Sequence, residues 1–183
     1  MKVERINLAS LKAFLGKLVR MSFYDLGKEK DIQAASYITE MLAEFVKADR
    51  LFKIRDAEGK SVETVVDMLL ETQRASKEDS NLERETRKYI GDFTLFMTGI
   101  FRDYIASRAY LRYYINEGTK SYFLVSRFDL EAGKGDPIMF SKLSHEFEFY
   151  SGALDYMKKV YFQTGASGDA FSDFVHQISK LKH

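Results

Sequence analysis

A chain of 183 residues with 45% hydrophobic and 14% aromatic side chains is long enough to bury a core without staples. The absence of cysteine excludes a disulfide framework, thiolate-held zinc or iron–sulfur centres, and thiol chemistry. A formal charge of +1, from 28 basic and 27 acidic groups, speaks against a generic polyanion binder and an acidic tail.

Apolar residues recur at three- and four-residue steps almost throughout, which is the helical period. Leu8, Leu11, Leu15 and Leu18 form the first stripe, flanked by Phe14 and Met21. Lys12, Lys17 and Arg20 interrupt any signal-peptide core, so an amphipathic helix is expected there. A second stripe runs through Ile38, Leu42, Phe45 and Phe52, with Asp31 placed to cap its start. Residues 56–59 read as a turn, and Ser61 as the cap of a short helix carrying Val62, Val65, Val66 and Leu69. Ser80 followed by Glu83 reads as a capping box, with Leu82, Thr86, Tyr89, Phe93, Phe96 and Ile100 on one face behind it. Leu111, Ile115, Gly118, Tyr122 and Val125 make another stripe, with Gly118 as its expected break.

Asp136-Pro137 marks a helix start, Asp as N-cap and Pro where its missing N–H costs nothing. Phe140, Leu143, Phe147, Tyr150, Leu154, Met157 and Tyr161 then keep helical spacing, while Phe149, Tyr156 and Val160 fall on another side. A helix apolar on two sides is usually central. The sequence therefore predicts an all-α fold, residues 1–183 as a single domain of six or seven helices around a long central helix at 137–162. A last helix carries Phe171, Phe174, Ile178 and Leu181. Only 51–55 and 121–126 pass for strands, and both are short. The longest uncharged apolar stretch, 93–101, is about half of the ~20 residues that a membrane span needs. A cytoplasmic protein with no membrane partner is the expectation.

Candidate chemistry is sparse. His145-Glu146 begins a zinc-protease signature whose second histidine is replaced by Phe149, and the remaining histidines are His176 and His183. No metal and no cofactor is expected. His145 with Glu148 one turn on, and Gly152 leaving room beside them, is the candidate acid–base pair. Asp49 and Arg108 sit in line with apolar stripes, so each is either ion-paired or a polar anchor in a ligand pocket. Glycine-flanked connectors at 133–135 and 165–168 resemble phosphate cradles, but Asp136 and Asp169 occupy the N-caps that a phosphate would need.

The segment 102–128 interleaves Arg102, Arg108, Arg112, Lys120 and Arg127 with Tyr104, Tyr110, Tyr113, Tyr114, Tyr122, Phe123 and Phe128. The stripe through Leu111, Ile115 and Val125 places one face of the segment in the core. The rest is ordinary surface, a protein interface or a site for a flat anionic ligand, and the balanced overall charge argues against nucleic acid.

Tyr37-Ile38-Thr39-Glu40-Met41-Leu42, the run 48–52, and Ile90-Gly91-Asp92-Phe93 continuing to Phe101 resemble a group of uncharacterised bacterial proteins. The resemblance implies a bacterial cytosolic setting and carries no activity. Gly91 and Gly99 within a helix cost about 1 kcal/mol each relative to Ala and mark close approach of another helix or a ligand.

Three functions follow as expectations. The first is a non-enzymatic helical interaction protein, a homodimer joined through an aromatic-rich helix face. The second is a small-molecule binding protein, its pocket lined by Tyr89, Phe93, Phe96, Tyr110, Arg112 and Tyr114 with Asp49 or Arg108 as anchor. The third is an enzyme using His145 and Glu148.

Overall fold

The structure, a computed structural model, describes residues 8–45, 65, 67–69, 74 and 79–161. Asp49, Phe52, the 51–55 and 56–59 segments, Ser61, Val62, Val66, the 165–168 connector, His176, His183 and the last helix lie outside these residues. The described residues include seven helices with defined bounds, further helical residues at 65, 67–69 and 74, and no strand, so the all-α class is correct. The chain divides into two compact units, Met1–Leu51 with Tyr156–His183, and Phe52–Asp155.

The first unit holds α1 (Leu8–Asp25) and α2 (Ile32–Phe45). The leucine stripe is buried as its spacing requires, at Leu11, Leu15 and Leu18. Phe14, beside the stripe, stays partly exposed. Asp31 caps α2, its Oδ1 accepting from Ala34 N at 3.4 Å. Lys12 pairs with Glu40 and Gly16 lies 3.2 Å (from its would-be Cβ) from Thr39, which makes the two helices antiparallel. The hydroxyls of Tyr156 and Tyr161 both donate to Oδ2 of Asp25. That acceptor holds the Tyr161 phenol in its neutral form, its pKa pushed up to about 12.

The second unit contains α3 (Ser80–Ile100), α4 (Arg102–Ser107), α5 (Leu111–Ala132), α6 (Pro137–His145) and most of α7 (Phe147–Tyr161). The cap of α3 is Asp79 rather than Ser80: its carboxylate accepts from Asn81 N at 2.8 Å, so the helix starts one residue earlier than a Ser80 cap implies. Asp136 caps α6 as expected, accepting from Met139 N at 3.0 Å.

The single rod expected at 137–162 is two helices. Glu146 leaves helical geometry (φ −106°, ψ 23°) between α6 and α7. The next residue, Phe147, is buried with its ring against Gly118. The second apolar side of this segment is not a core face either, since Phe149 and Tyr156 are only half-buried and Val160 is exposed. All-round burial belongs instead to α3, in which every residue from Tyr89 to Ile100 is buried.

Three glycines explain how the helices come so close. A Cβ on Gly91 would lie 2.6 Å from the Tyr122 ring, and one on Gly99 2.5 Å from the Leu154 side chain. One on Gly118 would lie 2.3 Å from Phe147 and 2.4 Å from Thr94 Oγ1. Gly118 is therefore a packing glycine inside a continuous helix, not the break that composition suggested. Neighbouring side chains fill all three gaps.

Candidate functional site

The 102–128 segment is not one helix. It breaks at residues 108–110, where Ala109 takes a left-handed conformation (φ 61°). Ala109 N donates to Ala106 O at 3.0 Å, and Tyr110 N to Ile105 O at 3.1 Å, the paired bonds of a Schellman helix end. The break removes Arg108 from the apolar line it was expected to join. Arg108 is exposed and stacks 4.8 Å over the Tyr104 ring.

α5, starting after this break, has two opposite faces. Its inner face buries Ile115, Gly118, Ser121, Tyr122, Val125 and Asp129. Tyr122 is fully buried, and its hydroxyl donates to Asp92 Oδ1 at 2.7 Å. The outer face carries Tyr113, Asn116, Lys120, Phe123, Arg127 and Leu130, all exposed. These six follow a three–four–three–four–three spacing, one continuous stripe about 26 Å long at ~1.5 Å per residue. Phe123 is 51% and Leu130 64% exposed, so two large apolar groups stand in line on one helix face.

One polar cluster sets the bearing of α5. Arg84 on α3 donates to Asp129 through Nε (2.8 Å to Oδ1) and Nη2 (2.9 Å to Oδ2). Asp129 Oδ2 also accepts from Asp136 N at 3.0 Å, and a Cβ on Gly135 would fall 2.2 Å from that oxygen. Arg84 lies 5.4 Å over the Phe140 ring of α6. A single carboxylate thus ties α3, the end of α5 and the start of α6. The bond from Arg84 holds the Asp129 carboxyl below its usual range, more than burial raises it. The same bond holds the Arg84 guanidinium well above its own range.

One turn further along α3, Arg87 has no such clasp. Its Nε and Nη1 are buried without a hydrogen-bond partner, as is Oε2 of Glu117 on α5. Burial pushes the Arg87 guanidinium down, and the nearby charges of Glu83 and Glu117 only partly offset this.

The structure separates the expected ligand-pocket residues. Tyr89, Phe93 and Phe96 are core, with Tyr89 stacked on Phe93 at 6.2 Å between ring centroids. Tyr114 is half-buried, its ring 6.5 Å from Phe93, while Tyr110 and Arg112 face outward. His145 is the last residue of α6 and Glu148 belongs to α7, so the pair does not share one helix. No hydrogen bond joins them, both are exposed, and Glu148 instead lies 3.9 Å from Arg112. Gly152 does face open space, as expected. Among the described residues no three histidine or acidic side chains gather as a metal site. No described helix is long and apolar enough to cross a membrane.

The first unit has an open groove of about 440 Å³ between α1 and α2. Small residues line it, among them Ala13, Gly16 and Ser36, with Lys12, Arg20 and Glu40 at its edges. Sequence reasoning missed this groove and also missed Leu130. The outer stripe of α5 was findable, because its spacing is regular once Gly118 is read as part of the helix. Comparison with known proteins finds no matching family model, curated relative or solved structure.

Proposed function

We propose that the chain is a non-enzymatic, cytoplasmic helical interaction protein that forms a homodimer through the outer stripe of α5. The bacterial setting implied by the resemblance belongs to the same proposal. The observation that carries it is the unbroken exposed run from Tyr113 to Leu130 on a helix whose opposite face is locked into the core. Aromatic and arginine side chains are the residues that contribute most at protein interfaces, and here they stand in register on a rigid element. Sedimentation of the purified chain at micromolar concentration tests it. The expected mass is twice 21.2 kDa, with Phe123→Glu weakening the dimer at least tenfold. A wild-type chain sedimenting as a monomer removes the proposal.

A second reading, small-molecule binding, draws on the groove between α1 and α2, whose volume falls in the range of ligand sites. A native mass spectrum distinguishes the two, as subunit count against a bound adduct.

A further inference from the structure

We infer that two copies pair their α5 helices antiparallel, about a two-fold axis passing between Lys120 and Phe123. The inference rests on the reading of α5 as the dimer surface and adds its direction and register. Charge sets the direction. The stripe alternates Tyr113, Lys120 and Arg127 on one side with Asn116, Phe123 and Leu130 on the other. In a parallel pair like residues meet, so Lys120 faces the partner's Lys120 and Arg127 faces the partner's Arg127. Two cationic layers would then be stacked in a contact that excludes water.

The antiparallel arrangement removes both repulsions. Lys120 lies over the partner's Phe123, an ammonium on an aromatic face, and the reverse pair forms by symmetry. Tyr113 meets the partner's Leu130, and Asn116 offers its carbonyl to the partner's Arg127. Flanking residues agree with this direction. On a helical wheel Glu117 and Glu131 border the Tyr113–Lys120–Arg127 side, and in an antiparallel pair equivalent borders adjoin. Arg127 therefore comes beside the partner's Glu117, and the Tyr113 hydroxyl beside the partner's Glu131. The existing pairing of Arg127 with Glu131, 3.2 Å between mostly exposed side chains, is of the kind that is easily exchanged.

The chain's lack of cysteine makes the test clean. Tyr113→Cys and Leu130→Cys full-length variants are prepared separately, shown to dimerise by sedimentation, then mixed and oxidised. A disulfide requires Cα atoms within about 7 Å. Antiparallel pairing predicts covalent dimer in the mixture and almost none in either variant alone, because the two Tyr113→Cys sites then lie about 26 Å apart along the helix axes. Self-cross-linking of Tyr113→Cys alone overturns the inference in favour of a parallel pair. Dimers that sediment normally but do not cross-link in the mixture overturn the register while leaving α5-independent self-association standing. A monomeric wild type overturns the functional proposal itself.

Discussion

Arg84 grips Asp129 with two parallel hydrogen bonds of 2.8 and 2.9 Å, whereas Arg87, three residues on, enters the same interior with two nitrogens unmatched. Two arginines on one helix thus sit at opposite ends of the range of what a partly buried cation does for a fold. Removing one member of a buried, well-bonded pair strands the other charge, whereas removing an unmatched cation relieves a desolvation cost.

Arg84→Met is therefore expected to lower the unfolding free energy by about 2–4 kcal/mol, and Arg87→Met to change it by less than about 1 kcal/mol. Urea unfolding followed by far-ultraviolet circular dichroism measures both. Equal losses, or a larger loss at Arg87, would contradict the assignment of roles.

The same clasp predicts acid sensitivity. Asp129 is held below its usual pKa, so its folded value lies under its unfolded one. Its contribution is complete above about pH 4, the ordinary carboxyl range, and is lost as pH falls through the depressed folded value. Wild type should lose stability on acidification more steeply than Asp129→Asn, which is weaker at neutral pH. The gap between their urea midpoints should close below about pH 4; a gap that stays constant rules out Asp129 as a source of the acid response.

Ala109 at the end of α4 has the same φ of 61° as Gly133 at the end of α5. Both carry the same pair of bonds: Gly133 N reaches Leu130 O at 3.2 Å, and Lys134 N reaches Asp129 O at 3.1 Å. An alanine Cβ makes this conformation costly by roughly 1–2 kcal/mol, only part of which glycine's greater freedom in the unfolded chain gives back. Ala109→Gly should stabilise by about 0.5–1 kcal/mol and raise the melting temperature by a few degrees, up to about 4 °C. A lower melting temperature would show that the strain is absent.

Much of the helical plan was legible where one residue decides it. Asp136-Pro137 and Asp31 mark starts that the structure uses, because a carboxylate acceptor at a helix end is a local device. Gly91 and Gly99 indicated close packing, and side chains of Tyr122 and Leu154 occupy those positions. The breaks at Glu146 and Ala109 were illegible for the complementary reason, since neither position carries the glycine or proline that marks a helix end in sequence. The aromatic and basic character of 102–128 was plain, and the stripe through Ile115, Gly118, Tyr122 and Val125 marked its inner face, but the division of one continuous helix into two faces was not. That division depends on whether Gly118 ends the helix, and only the Phe147 ring seated against it answers the question.

The rings of Tyr122 and Phe147, wedged where Gly91 and Gly118 lack a side chain, have one more effect. Both lie on the inner face of α5, its own Tyr122 ring keyed into α3 at Gly91 and the Phe147 ring of α7 keyed into the helix at Gly118. Rolling α5 by a single position would pull the first from its slot and drive a Cβ atom into the second. Whatever lands on its outer surface meets a bearing already set before encounter, so docking there demands no reshaping of the protein beneath it.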